Sequence, residues 1–231
     1  MKRAILLLSL LISSVSFAQE DLYRRLELLK SLEQRQNVAF KLTYKAYSSI
    51  LSTSPEEVSY STVLKRGTDY VYFEMGDLIS LREGDQQITV DKDEKRIILT
   101  NVGPGEEGMQ QFQFDSLYAR ATKVELTPGD DQGIRLHFDR SLQLGFTHID
   151  YHFSARELHK VMVYYYAVFQ YGGADGKQKT SVPRLEIHYA GLAEKYWPEH
   201  RFIKDYLRFT ASGVQVKNTW SDYRIANYDN D

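Results

Sequence analysis

Residues 78–102 read LISLREGDQQITVDKDEKRIILTNV. Three short apolar-rich runs stand here, Leu78–Arg82, Gln87–Asp91 and Lys95–Val102. Glu83-Gly84-Asp85 separates the first two, and Lys92-Asp93-Glu94 separates the last two. Apolar residues that alternate with polar ones, bounded by such turn residues, mark β-strands joined as hairpins. The connections are far too short for a crossover between parallel strands, so the pairing is antiparallel.

The same period of two extends outward in both directions. Upstream lie Val38–Lys45, Val58–Leu64 and Tyr70–Met75, with turns at Ser52–Pro55, Arg66–Asp69 and Gly76-Asp77. Downstream lie Lys123–Leu126, Ile134–Phe138, Phe146–Phe153, Leu158–Tyr171 and Leu185–Tyr189. Pro128–Asp131 and Gly172–Gly176 supply turns. Residues 103–108, GPGEEG, read as a flexible connection, and 109–121 as a short helix or an irregular lid. Only residues 21–36 show a helical period, with Leu22, Leu26, Leu29 and Leu32 on one stripe. The aromatic stretch from Tyr196 onward reads as one or two edge strands or a short helix.

The first 18 residues read differently. Lys2 and Arg3 precede an apolar run, Ala4–Ile12, and Ser16-Phe17-Ala18 then gives a small-x-small pattern before Gln19. That is the layout of a cleaved secretory signal peptide. The run is well short of the roughly 20 residues of a spanning helix, and no later stretch is long and apolar enough to be one. Export to the periplasm of a Gram-negative cell is expected, with residues 19–231 forming a single domain.

Composition removes several function classes. The chain has no cysteine, which excludes disulfides, thiolate metal sites and a cysteine nucleophile. Its formal charge is −2, moving to −4 once Lys2 and Arg3 leave with the signal. A nucleic-acid-binding surface would be strongly basic. Among the 231 residues are 17 tyrosines and 11 phenylalanines, many of them in β-like runs where aromatic side chains fit a pleated surface.

Some strands are apolar on both faces. In Leu158–Tyr171, one face holds Leu158, Met162, Tyr164 and Tyr166, the other Val161, Val163, Tyr165 and Phe169. Tyr70–Phe73 behaves similarly. An antiparallel sheet with water on one side keeps that side polar, so these strands need cover on both. Either the second face lines a groove for an apolar ligand, or a segment such as 109–121 fills it as core. The groove reading makes Tyr70, Tyr72, Val163, Tyr165 and Phe169 the candidate lining.

Catalytic chemistry finds little support. His148, Asp150 and His152 form H-x-D-x-H, with neighbours about 7 Å apart on one strand face. Such a set can ligate zinc, but the pattern reads as a polar outer face, because Ile149, Tyr151 and Phe153 take the core side. Glu83/Asp85 and Asp91/Asp93/Glu94 read as solvated turn residues. The chain has no G-x-S-x-G elbow and no phosphate loop. No enzyme, metal or cofactor is expected.

The order of segments resembles the periplasmic lipoprotein-carrier (LolA-like) superfamily across residues 22–190. The likeness rests on a leading helix with LKSLEQ at 29–34 and a strand beginning VAFKLTYKAYSS at 38–49. It continues through the hairpin GTDYVYFEMGD at 67–77, the run from Glu83-Gly84-Asp85 to Lys95 and Ile97, and FTHIDYHFSARELHKVMVYYY at 146–166. The tyrosine-rich style and the SFAQ segment are similar to envelope proteins of Bacteroidota. The resemblance implies a mainly β (α+β) fold: one strongly curved antiparallel sheet, an incomplete barrel, with a helical lid over its concave face. It further implies a carrier whose groove takes lipid acyl chains or a lipidated protein. Arg82, Arg96 and Arg135 all lie in strands, and no functional residue carries over. The alternative is a non-catalytic subunit of an envelope assembly, with tyrosines anchoring a protein partner. Amino-terminal sequencing of the exported protein is expected to begin at Gln19, and retention of Met1 in the periplasmic form would contradict the signal reading.

Overall fold

The computed structural model describes residues 20–32, 34–103, 114–127, 133–154, 157–166, 169–172 and 178–227, with backbone alone at 114–115, 169–172, 178–181 and 227. The signal segment, most of GPGEEG, residues 109–113, and the turns at 128–131 and 173–176 lie outside them.

A leading helix, α1 (residues 20–32), comes first. Six strands follow: β1 (Asn37–Tyr47), β2 (Glu57–Arg66), β3 (Tyr70–Met75), β4 (Leu78–Glu83), β5 (Gln86–Asp91) and β6 (Arg96–Asn101). After α2 (Phe114–Arg120) come β7 (Lys123–Leu126), β8 (Gly133–His137), β9 (Phe146–Ser154), β10 (Glu157–Tyr165), β11 (Phe169–Gly172), β12 (Gln178–Ser181) and β13 (Arg184–Gly191). The chain ends in α3 (Ile203–Tyr206), β14 (Leu207–Thr210), β15 (Gly213–Val216) and β16 (Arg224–Asn227). Hydrogen bonds join twelve strands in the order β16-β6-β5-β4-β3-β2-β1-β13-β10-β9-β8-β7. Among the described residues the end strands, β16 and β7, do not pair with each other, so the sheet is unclosed. Its hairpin pairings and the β10–β13 pairing are antiparallel, whereas β16 runs parallel to β6. The mainly β, antiparallel architecture expected from the hairpin pattern is therefore present, as is the unclosed sheet that the resemblance implied.

The 158–171 run is not one strand. β10 stops at Tyr165, its pairing with β9 slips at Leu158/Lys160 and Tyr164/Tyr165, and β11 pairs instead with β12. A period-two count carried across those irregularities misassigns faces, because each one-residue slip exchanges the two sides.

The chain forms two compact units. One comprises residues up to Gln34, Lys45–Glu57 and Phe112–His188, and the other Arg35–Tyr44, Val58–Gln111 and Tyr189–Asp231. In the second unit, β3–β6 present Tyr72, Ile79, Leu81, Ile88, Val90 and Ile97 on one face, all at most 3 % exposed. The C-terminal segment covers that face with Ile203, Tyr206 and Leu207, backed by Trp197, Trp220, Tyr223 and Ile225. Polar contacts fix the segment in place. Ile203 N–H donates to Glu83 Oε2 (2.8 Å), and Tyr70 Oη donates to the Arg201 carbonyl (2.9 Å). Lys95 Nζ pairs with Asp222 (2.6 Å), and Arg224 N–H donates to the Lys95 carbonyl (3.0 Å). Glu83 is thus an anchor rather than a solvated tip. Asp205 accepts the N–H groups of Arg201 and Phe202 and squares off the start of α3.

In the first unit, Ile134, Leu136, Ile149, Tyr151, Phe153 and Val161 form the buried face of β8–β10. Gly133 is obligatory there. A Cβ would run into the Tyr151 carbonyl and meet Thr127 Oγ1 at 2.8 Å, and that hydroxyl accepts the Gly133 N–H at 2.7 Å. Leu29 of α1 is buried as its stripe predicts, and Arg25 joins it, held by Asp21 (3.1 Å).

Tyr206→Ala is expected to cost about 3–5 kcal/mol in urea unfolding, the range for emptying a buried aromatic site. Phe209→Ala, at 48 % exposure, should stay within about 0.5 kcal/mol.

Candidate functional site

The second unit's sheet has a second face. Pairing of β2 with β3 puts Val63 opposite Phe73 and Lys65 opposite Val71, on the side away from Leu64 and Tyr72. Ser61 Oγ donates to Tyr44 Oη (3.2 Å), which places Phe40, Leu42 and Tyr44 of β1 on this same side. Tyr189 of β13 meets Phe40 edge to face at 5.8 Å. Four adjoining strands thus present Tyr189, Phe40, Tyr44, Val63, Val71 and Phe73. Beyond β3 the same face turns polar, with Ser80 and Arg82 on β4 and Gln87 and Thr89 on β5.

Exposure separates the two faces. The face under the C-terminal segment is dry. On the other, Leu42 (8 % exposed) and Ser61 (3 %) are buried, whereas Phe40, Tyr44, Val63, Val71, Phe73 and Tyr189 are half-buried. Tyr189 sits deep enough that burial pushes its hydroxyl up to about 12, with Tyr44 adding to the effect. Yet it keeps accessible surface, and its hydroxyl has no hydrogen-bond partner among the described residues. The polar tip of a buried tyrosine ordinarily finds a partner, so Tyr189 brings to this face, beside Phe40 and Tyr44, a hydroxyl with none among the described residues.

In the first unit, the face opposite the apolar one carries charge. Arg135 binds Asp150 through two bonds, 2.6 and 2.7 Å, and Asp150 is only 2 % exposed. Burial lowers the pKa of His148 to about 4, helped by the Arg135 charge. The imidazole stacks on Tyr164 at 4.1 Å, and its Nδ1 meets Thr147 Oγ1 at 2.8 Å. Glu125 is held down near 2 by hydrogen bonds from Lys123 and His137. The H-x-D-x-H face is therefore polar but largely covered, not the solvated face the alternation implied. The alternation identified the side correctly, but ion pairing, invisible in sequence, allows a carboxylate to be buried there. No group of three potential metal-ligating side chains is assembled among the described residues.

The candidate lining residues separate. Tyr72 is 1 % exposed and donates to Glu74 (2.7 Å), and Tyr70 is tied to Arg201, both beneath the C-terminal segment. They belong to the sealed face, and the open face carries their neighbours Val71 and Phe73. In the first unit, Val163 pairs with Ile149 and Tyr165 with Phe146, and both Val163 and Tyr165 are half-buried. Burial raises the Tyr165 hydroxyl above its ordinary range. Phe169 lies in β11, and its side chain is outside the described residues. Sequence reasoning missed Phe40, Tyr44 and Tyr189. The signal was present, since Phe40, Leu42 and Tyr44 share one alternating face, but nothing told which face the C-terminal segment would claim.

Protonation predicts a pH effect. His148 has a folded pKa below its ordinary 6.5, so the unfolded chain takes up a proton first. Stability should fall as pH drops from about 6.5 to about 4, by on the order of 2 kcal/mol. His148→Gln should flatten the decline between pH 6.5 and 4.5 in urea titrations, because Glu125 contributes only below that window.

No protein-family model matches this sequence, and no curated protein does either. Solved structures do align with the fold. A conserved uncharacterized protein from Thermus thermophilus aligns at 12 % identity and TM-score 0.36, over 75 % of this chain and 94 % of its own. A LolA superfamily protein from Nitrosomonas europaea aligns at 11 % and 0.29, over 76 % and 97 %. A DUF1329 family protein from Desulfovibrio piger aligns at 7 % and 0.30, over 79 % and 97 %.

Proposed function

We propose that this chain is an exported, non-catalytic carrier that holds an acyl chain, free or attached to a protein, on the open aromatic face of its second unit. The observation that supports the reading most is the contrast between that unit's two faces. One is sealed by the chain's own C-terminal segment. The other leaves Phe40, Tyr44, Val63, Phe73 and Tyr189 half-buried, and the Tyr189 hydroxyl has no partner among the described residues. An acyl chain suits such walls because its burial is non-directional and gains about 0.8 kcal/mol per methylene. Tyr189 Oη would donate to a carboxyl or ester oxygen at the β13 end of the face, and the polar strip that starts at Ser80 and Arg82 bounds the apolar surface at its other end. The signal-type N-terminus and the sequence resemblance to lipoprotein carriers agree with this reading. No helix of the described residues is long and apolar enough to cross a membrane.

Organic extraction of protein purified from the periplasm should release a long-chain lipid detectable by mass spectrometry. The delipidated protein should bind a fluorescent long-chain fatty acid. Tyr189→Ala and Phe40→Ala should each weaken binding by about tenfold, the effect of roughly 1.4 kcal/mol, and Phe209→Ala should leave it unchanged. If no lipid co-purifies and the fluorescent probe fails to bind folded protein, the carrier reading is wrong.

A further inference from the structure

The β1–β2 connection in the first unit holds the most exposed large apolar side chain among the described residues, Leu51 at 85 %, beside Ile50 at 46 %. Single exposed apolar residues are ordinary. This pair differs because three carbonyls and three N–H groups of the tip are bonded from within the protein. The Arg184 guanidinium reaches under the tip and donates to the carbonyls of Ser49 (3.4 Å), Ile50 (2.5 Å) and Ser52 (3.0 Å). Ile50 N–H donates to the Val182 carbonyl (2.9 Å), Leu51 N–H to Ser49 Oγ (3.1 Å) and Ser52 N–H to the Ser49 carbonyl (3.1 Å). Arg184 is itself locked, stacked 4.0 Å from the Tyr47 ring centre and bonded to Glu186 Oε1 (3.1 Å). Glu186 is buried and also accepts from Tyr47 Oη (3.3 Å).

A loop in water does not need this. Water would satisfy those carbonyls and amides, and a mobile tip would tuck its leucine away. In hydrocarbon an unsatisfied backbone group is costly, so a segment that enters lipid must bring its own partners. Residues 46–55, AYSSILSTSP, also carry no charge. Acidic Glu56 and Glu57 follow them, which argues against attraction to anionic headgroups. We infer that the Ile50–Leu51 tip, cradled by Arg184, inserts into the interfacial region of a phospholipid bilayer through apolar contact rather than charge. This surface is separate from the aromatic face and does not depend on the carrier reading.

The chain lacks cysteine, so Leu51→Cys gives a single labelling site. The protein starting at Gln19 removes the apolar leader and retains every described residue. With an environment-sensitive fluorophore on the introduced thiol, it should show a blue shift and a rise in emission with vesicles of phosphatidylethanolamine and phosphatidylcholine, unchanged by high salt. In flotation, Leu51→Asp should lower the vesicle-bound fraction of the unlabelled protein by at least about tenfold. Its fatty-acid binding should remain as before, which separates failure of this inference from failure of the carrier reading. No flotation of the parent protein, equal flotation of Leu51→Asp, or binding only to phosphatidylglycerol vesicles that salt abolishes would each overturn it.

Discussion

Leu81, Ile88, Val90 and Ile97 stay dry because Ile203, Tyr206 and Leu207 lie over them. A meander of short hairpins has no reason to be stable by itself, since each strand offers its apolar side chains to whatever arrives. Here the chain returns after more than a hundred residues and lays its own C-terminal aromatic segment on that side. Glu83, Lys95 and Tyr70 supply directional bonds that fix where the segment lands. Burial supplies the energy and these three supply the register, a division that follows from the non-directional character of apolar burial.

Sealing one face gives meaning to the other. Once Tyr72 and Leu81 have an internal partner, the opposite side is left with the half-exposed apolar residues Phe40, Tyr44, Val63, Phe73 and Tyr189. Had the C-terminal segment packed there instead, Tyr70 and Tyr72 would be the open pair. The assignment of a ligand face in this unit therefore turns on where about twenty-five residues of terminal chain settle.

The first unit solves a different problem. Its strands carry an ionic face, and the chain covers much of it by pairing charges. Arg135 with Asp150 and Arg184 with Glu186 are the two principal pairs. Buried ion pairs offset their desolvation only when the remaining donors and acceptors are filled. Arg184 does this by spending its outer nitrogens on the carbonyls of the β1–β2 tip. The same guanidinium thus stabilises Glu186 and stiffens a loop that holds two aliphatic side chains in solvent.

Much of the architecture was legible in the chain. The alternation from Val38 to Val102, the turns at Glu83–Asp85 and Lys92–Glu94, and the leucine stripe near the N-terminus are local signals, and local backbone preference suffices to read them. The polar identity of the His148–Asp150–His152 face was legible for the same reason. What alternation could not supply was which face is covered and by what. The count failed across the Leu158–Tyr171 run because bulges exchange sides, and it could not show that Tyr70 and Tyr72 lie on the covered face, because the cover comes from a segment over a hundred residues away. A period of two determines that a strand has two faces, and only long-range packing decides which of them meets the protein and which meets something else.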